Sequence, residues 1–123
     1  MRIGTDIVEC ERIRDAIRRH PEQFPRIAFT DEEIAAAPEN EAAKVAYFSG
    51  RWAAKEAIAK ALGCGFGAQC AWRELSIRNL PGGAPEATLS GKALETFRSL
   101  GAKSLHISIS HERNYATAVA LIE

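Results

Sequence analysis

Apolar and polar positions alternate near both ends of the chain, as they do in the strands of a sheet. Residues 2–8 alternate and are rich in β-branched side chains, and residues 104–110 place aliphatic side chains on one face and polar ones on the other. Residues 115–122 are apolar on both faces, which predicts a central strand covered on both sides. The short connection 111–114 predicts that the last two strands form an antiparallel hairpin.

Between these strands the apolar side chains repeat at helical spacing. Residues 9–20 predict a helix that ends before Pro21. Thr30 begins a second helix with the Thr-x-x-Glu pattern of a capping box, and Pro38 ends it. The strongest helical signal covers residues 40–62, which are rich in alanine, contain no proline and precede two nearby glycines.

Two shorter strands, at residues 72–78 and 86–90, flank the turn-forming segment 81–85. Ser90 then begins a helix as its N-cap residue. The resulting order, β-α-α-α-β-β-α-β-β, predicts an α+β fold in which a mainly antiparallel sheet packs against a long helix. The sequence contains no repeat, linker or low-complexity segment, which predicts one domain over residues 1–123.

The composition argues against several classes of protein. Of 123 residues, 46% are hydrophobic and 26% are charged, and 16 basic side chains balance 16 acidic ones. This balance disfavours a disordered chain and a basic nucleic-acid-binding surface. No apolar run approaches the roughly 18 residues of a membrane span and no signal peptide is recognisable, so we expect a cytoplasmic protein without a membrane or nucleic-acid partner. The three cysteines lack C-x-x-C spacing, which indicates free thiols.

A carboxylate in the first strand is the first candidate for chemistry. Asp6 is one of only three aspartates, and it lies among mostly apolar residues, where a carboxylate is costly unless it is paired. Its position allows two interpretations. Asp6 either accepts hydrogen bonds from a neighbouring loop or binds a hard metal cation.

The long predicted helix carries a second carboxylate and several cations. Glu56 lies among small alanines, and Lys60 follows one turn later on nearly the same face. Lys44, Arg51 and Lys55 form a cationic stripe at spacings of seven and four residues. This stripe is either an ordinary solvated face or a surface that suits several phosphates.

His111 and the first helix offer further candidates. His111 ends a strand in the sequence Ser-Ile-Ser-His, where it is either a surface residue or a catalyst. Arg14 and Arg18 lie four residues apart in a helix and therefore share a face. They either complement the helix dipole or form a docking face for an acidic protein. The sequence motifs of a P-loop, a zincin and a serine hydrolase are absent.

Three separated segments together resemble one enzyme family. They are residues 3–13 (IGTDIVECERI), 49–65 (SGRWAAKEAIAKALGCG) and 107–111 (ISISH). In order, spacing and chain length they are similar to the holo-[acyl-carrier-protein] synthases, which are short, bacterial-type 4'-phosphopantetheinyl transferases. The resemblance covers essentially the whole chain. It implies the 4'-phosphopantetheinyl transferase fold and a magnesium-dependent enzyme of fatty acid biosynthesis.

Enzymes of this family transfer the 4'-phosphopantetheine arm of coenzyme A to a serine of acyl carrier protein and release adenosine 3',5'-bisphosphate. They typically form homotrimers with each active site between two subunits. By resemblance, Asp6 and Glu56 bind magnesium and Lys60 lies beside the pyrophosphate, so these three are the expected catalytic residues. The basic helix, with Arg14 and Arg18, is expected to meet the acidic carrier protein. The remaining expected contacts to coenzyme A are Lys44, Arg51, His111 and the turn residues Gly83 and Pro85.

The chemistry of phosphoryl transfer agrees with this resemblance, because it depends mainly on neutralising charge and positioning the reactants. Either Glu56 or a water held by Asp6 through the metal is the expected base. The chain departs from the family pattern at Cys64, at Ala84 and at Glu112. The competing function is a non-catalytic module that binds nucleotide or carrier protein. The presence of both candidate metal ligands favours the enzyme.

Overall fold

The fold is built around one long helix that crosses a three-stranded sheet. The computed structural model describes residues 1–123. Its strands are β1 (Arg2–Glu9), β2 (Leu75–Asn79), β3 (Pro85–Leu89), β4 (Leu105–His111) and β5 (Tyr115–Ile122). Its helices are α1 (Cys10–Arg19), α2 (Gln23–Ala28), α3 (Asp31–Ala36), α4 (Glu41–Leu62) and α5 (Gly91–Ser99). This order confirms the predicted α+β class and adds one helix, α2, to it.

All strand pairs are antiparallel, as the sequence predicts. The larger sheet has the order β1-β5-β4, so that the last strand lies in its centre. Strands β2 and β3 form a separate hairpin. None of the helices is both long and apolar enough to span a bilayer.

Small residues let α4 pack unusually close to the sheet. A Cβ atom on Gly4 of β1 would lie 2.0 Å from the carbonyl oxygen of Ala57 and 2.6 Å from the amide nitrogen of Ala61. A Cβ atom on Gly50 of α4 would lie 3.0 Å from a methyl group of Ile109 on β4. The backbones of β1 and α4 therefore meet where alanine already is too large. This close approach fixes the position of every side chain on that part of α4.

Strand β5 is central, as predicted, but within this chain it is covered on one face only. Its alanines at positions 116, 118 and 120 are buried on the face toward α4. On the opposite face Tyr115 and Val119 remain 43% and 40% exposed. The sequence pattern shows that both faces are apolar, but it does not show what packs against each of them. No second layer of this chain packs against the face opposite α4. We call the exposed apolar residues of this side, Ile3, Ile7, Tyr115 and Val119, the open sheet face.

The capping box at the start of α3 is confirmed. The Thr30 hydroxyl accepts a hydrogen bond from the Glu33 backbone N–H at 3.3 Å, and a Glu33 carboxylate oxygen accepts one from the Thr30 N–H at 2.8 Å. Ser90 is the N-cap residue of α5, as predicted, but its side chain receives no hydrogen bond from the helix. Glu74 takes over this role by accepting hydrogen bonds from the N–H groups of Lys92 and Ala93.

Two further predictions change for local reasons. Residues 72–74 form a 3-10 turn, so that strand β2 starts only at Leu75. The Trp72 ring turns inward and stacks between Trp52 and Phe66, with ring centroids 4.2 and 3.8 Å away. The sequence pattern did not predict helix α2, because this helix contains Pro25. This proline lies in the first turn, where a helix has no partner for the missing N–H group.

Candidate functional site

The close contact between β1 and α4 brings three of the predicted residues together. Two residues after Gly4, the Asp6 side chain lies on the face of β1 toward α4 and is 15% exposed. The Lys60 ammonium donates hydrogen bonds to Asp6 Oδ1 at 3.1 Å and to the Thr5 carbonyl oxygen at 3.0 Å. Lys60 itself is 53% exposed, so this ion pair borders solvent. The pairing explains how an aspartate is tolerated in this strand.

Glu56 lies one turn before Lys60 and belongs to the same cluster. Burial raises the pKa of the Glu56 carboxyl, and the negative charge of Asp6 raises that pKa further. The charges of Lys60 and Arg12 oppose this shift. Arg12, on α1, is a member of the site that the sequence did not assign. We call Asp6, Arg12, Glu56 and Lys60 the carboxylate cluster.

The donor set of the carboxylate cluster fits magnesium. Mg²⁺ prefers oxygen ligands, and it is commonly held by one or two carboxylates while water and substrate phosphates complete its shell. Asp6 and Glu56 supply two carboxylates; burial, and then the negative charge of Asp6, raise the pKa of the Glu56 carboxyl. The chain has no group of three or more histidine, cysteine or acidic side chains that could hold a metal alone. A cation here therefore needs ligands from outside the chain.

The predicted cationic stripe on α4 is wrong in one member. The Lys55 side chain is fully buried, and its ammonium donates to Glu33 Oε1 at 2.7 Å and to the Ala28 carbonyl oxygen at 2.8 Å. Burial lowers the pKa of Lys55, although the charge of Glu33 opposes this shift. Spacing along a helix does not show that a lysine points into the core toward a glutamate of another helix. Lys55 is therefore not available to bind phosphate.

Arg51 is also buried, but it borders a cavity. Its side chain is 7% exposed and its guanidinium carbon lies 3.8 Å from the centroid of the Tyr47 ring. One guanidinium nitrogen, Nη2, donates a long hydrogen bond of 3.5 Å to Asn79 Oδ1, while Nε has no partner. The cavity has a volume of about 320 Å³ and includes Arg78 and Glu32 in its lining.

The other predicted phosphate contacts do not share the cavity of Arg51 within one protomer. Lys44 lines a second pocket, to which helices α1, α2, α3 and α4 all contribute. His111 lines a third pocket together with Arg14 and Arg113. Gly83 lies exposed in the turn before Pro85, with a φ of 93° and its N–H bonded to the Leu80 carbonyl at 2.7 Å. The single chain thus assembles the carboxylate cluster, but it does not bring the predicted phosphate contacts together in one pocket.

Neighbouring glutamates partly neutralise the positive charge of the basic helix α1. Arg14 forms an ion pair with Glu11, and Arg18 forms one with Glu41 of α4 at 2.7 Å. Both pairs are at the surface, where they compete with water and with any partner. Among the departures from the family pattern, Glu112 accepts a hydrogen bond from the Asn114 N–H at 3.2 Å within the turn.

Comparison with known proteins places this geometry in a family. The chain matches the 4'-phosphopantetheinyl transferase superfamily over residues 2–120. It is 46% identical over 123 residues to the holo-[acyl-carrier-protein] synthase of Sulfurovum sp., covering 100% of this chain and 97% of that protein. The synthase of Helicobacter pylori in complex with coenzyme A is similar in structure, with 32% identity, a TM-score of 0.84 and coverage of 98% and 99%. That of Neisseria meningitidis gives 30% identity, a TM-score of 0.90 and coverage of 99% and 97%.

The chain belongs to the 4'-phosphopantetheinyl transferase superfamily. It is therefore a transferase, as the resemblance of its sequence implies, and its antiparallel sheet packed on a long helix is the fold that this resemblance implies.

Proposed function

We propose that this chain transfers the 4'-phosphopantetheine moiety of coenzyme A to a serine of apo acyl carrier protein and releases adenosine 3',5'-bisphosphate. The observation that carries this proposal is the carboxylate cluster at the contact of β1 and α4. It places two carboxylates and one lysine at the surface, where a phosphate-bearing substrate can reach them. The Helicobacter pylori relative is a synthase in complex with coenzyme A, which supports the choice of substrate.

In the proposed mechanism Asp6 and Glu56 hold Mg²⁺. The bound ion supplies charge neutralisation at the pyrophosphate of coenzyme A. Lys60 is within reach of Asp6 and neutralises charge that develops on the leaving phosphate. Glu56 would also accept the proton of the carrier-protein serine, and burial together with the charge of Asp6 favours its protonated form in the metal-free chain.

The phosphates at the adenosine end of coenzyme A are assigned to residues outside the carboxylate cluster. Arg51 supports this assignment because it lines a cavity and forms no ion pair within the chain. Lys44 and His111 add two side chains that can bear positive charge, and Gly83 and Pro85 add a turn with exposed backbone. Arg51, Lys44 and His111 line three separate pockets of the chain, so we propose that a neighbouring subunit completes the binding site.

The direct test is a mass measurement. Purified apo acyl carrier protein is incubated with this chain, coenzyme A and Mg²⁺, and its mass is expected to increase by one phosphopantetheine group. Omission of Mg²⁺, with chelator present, is expected to prevent the increase. Binding of coenzyme A without any mass increase would favour the competing non-catalytic module.

A homotrimer is part of the proposal, and the open sheet face is the surface that supports it. Ile3 and Ile7 are 70% and 63% exposed, and they adjoin the exposed Tyr115 and Val119. Apolar side chains collected on one sheet face favour burial against another chain. The alanines of β5 do not serve this contact, since they already pack against α4.

Val119→Asp is expected to break the trimer, because it places a charge in the centre of the open sheet face. Sedimentation velocity is expected to show a trimer for the wild type and smaller species for the variant, with transfer activity lost in parallel. Ile27→Asp is the matched control, since Ile27 is 68% exposed on α2 and outside this face. A fully active monomeric wild type would contradict both the trimer and the shared site.

The basic helix is proposed as the docking surface for acyl carrier protein, which is acidic as a class. Arg14 and Arg18 lie on one face of α1, and Arg18 is 60% exposed. Their ion pairs with Glu11 and Glu41 are exposed and therefore easily exchanged for a partner's carboxylates.

The double reversal Arg14→Glu/Arg18→Glu is expected to raise the KM for carrier protein at least about tenfold, which corresponds to about 1.4 kcal/mol. The affinity for coenzyme A is expected to fall by a clearly smaller factor, although Arg14 lines a pocket together with His111. The control reversal Arg98→Glu, on the exposed end of α5, is expected to leave both parameters unchanged. Steady-state kinetics at low and high salt measure these effects. An equal loss of coenzyme A affinity would place α1 at the nucleotide instead.

The proposed setting is the cytoplasm, where the enzyme supplies carrier protein for fatty acid biosynthesis. All three cysteines are free thiols, which suits a reducing compartment. We take residues 1–123 as the one domain that carries this activity.

A further inference from the structure

The guanidinium of Arg51 contacts two side chains of this chain, while one of its nitrogen donors has no hydrogen-bond partner. Its guanidinium lies on the Tyr47 ring at 3.8 Å and contacts Asn79 Oδ1 through Nη2 at 3.5 Å. Nε has no hydrogen-bond partner within the chain although the atom is buried. Arg51 forms no ion pair within the chain although it borders the cavity, so the charge of its guanidinium is available to a ligand there.

The Tyr47 ring is itself fixed in place. Its hydroxyl donates a hydrogen bond of 2.5 Å to the Glu33 carbonyl oxygen of α3. Its ring meets the buried Phe48 ring edge-on, with centroids 5.1 Å apart and planes at 82°. Glu33 is anchored in turn by Lys55 and by the Ile77 N–H. The surface on which Arg51 rests is therefore tied to the rigid part of the core.

The cavity beside Arg51 suits an anion. Its volume of about 320 Å³ accommodates a phosphate group. Two arginines and one carboxylate contribute charge to its lining, and the second arginine, Arg78, is already paired with Glu86 at 2.8 Å. Arg51 is thus its one arginine without an ion pair in this structure. Further polar groups in the lining come from Glu32, Ser76 and Thr88.

We propose that Tyr47 and Asn79 are positioning residues, which hold the Arg51 guanidinium so that it meets a phosphate of coenzyme A in this cavity. This inference rests on the proposed function, because it takes coenzyme A as the source of the phosphate. Tyr47 itself donates its hydroxyl to Glu33, so it acts through Arg51 and not by a contact of that hydroxyl with substrate. The planar guanidinium binds a phosphate best when both face and edge are oriented in advance.

The test measures binding of adenosine 3',5'-bisphosphate to the full chain by calorimetry. Tyr47→Leu removes the ring and is expected to weaken binding about tenfold. Tyr47→Phe keeps the ring and loses only the hydroxyl, so its affinity is expected to stay within about twofold of the wild type. In transfer assays Tyr47→Leu is expected to raise the KM for coenzyme A while kcat and the KM for carrier protein stay unchanged. Unchanged affinity in Tyr47→Leu overturns the proposal.

A double-mutant cycle separates positioning from general packing. If Tyr47 acts through Arg51, Tyr47→Leu is expected to cause no further loss in an Arg51→Ala background. Two independent losses that add would overturn the proposal. Should Tyr47→Leu fail to fold, Asn79→Ala gives the second test, because Asn79 is exposed. This variant is expected to weaken bisphosphate binding about threefold, and unchanged binding contradicts the proposed role.

The same assays separate this inference from the proposed function. A wild-type chain that binds the bisphosphate but transfers nothing refutes the transferase, while the calorimetric comparison still decides the role of Tyr47. A wild-type chain that transfers normally, with a Tyr47→Leu variant of equal affinity, refutes only the positioning role.

Discussion

Replacing Asp6 or Glu56 with alanine is expected to lower kcat/KM for phosphopantetheine transfer at least about 1000-fold, while the fold is retained. Each change removes one of the two carboxylates proposed to hold Mg²⁺, and a catalytic cation contributes several kcal/mol to the transition state. The measurement is the rate of mass increase of apo carrier protein at saturating Mg²⁺. Glu95→Ala, which removes an exposed carboxylate from α5, is the matched control with expected wild-type activity. Near-normal activity of either variant removes that residue from the site.

Thermal unfolding of the alanine variants of Asp6 and Glu56 checks that they fail in chemistry and not in folding.

A separate variant, Glu56→Gln, tests the charge of Glu56. The raised pKa of Glu56 means that its ionised form is disfavoured in the folded chain. The stability that Glu56 gives is therefore highest at low pH, and it is lost as the pH rises through the folded pKa. Glu56→Gln is thus expected to melt above the wild type at neutral pH without Mg²⁺, and this advantage is expected to vanish as the pH falls toward 4.5. A variant that melts lower at neutral pH contradicts this account.

Lys55→Met is expected to destabilise the fold by about 3–5 kcal/mol, because it leaves the carboxylate of Glu33 buried without its cation. This ion pair is almost completely buried, with side-chain exposures of 0% and 1%. It also joins separate elements, since Lys55 donates to Ala28 and Glu33 accepts from the Ile77 N–H. Urea unfolding at fixed protein concentration measures the loss. Lys92→Met breaks an exposed pair on α5 and is expected to change stability by less than about 0.5 kcal/mol.

The double variant Lys55→Met/Glu33→Met distinguishes a paired charge from simple loss of contacts. Removing both partners leaves no uncompensated charge, so the double variant is expected to lose less stability than the two single variants added together. A single variant that loses less than about 1 kcal/mol would show that the pair is not a major support of the fold.

Much of the fold is predictable because local chemistry specifies it. The capping box of Thr30 and Glu33, the proline-free run of α4 and the short β4–β5 connection each leave a mark in consecutive residues. Helix α2 and the carboxylate that caps α5 leave no such mark. Pro25 is tolerated only because of its place in the first turn, and Glu74 caps a helix that is distant in sequence.

The candidate site, like the fold, is predictable from the sequence only in part. The sequence by itself determined the class of protein, through the segments around Asp6, Glu56 and His111. Only the tertiary structure decided which cations remain available. Lys55 and Arg51 lie one turn apart on the same helix, yet Lys55 is neutralised by Glu33 while Arg51 borders a cavity and forms no ion pair. The reason is physical, since the partner that neutralises a buried charge comes from another element, and helical spacing carries no information about that element.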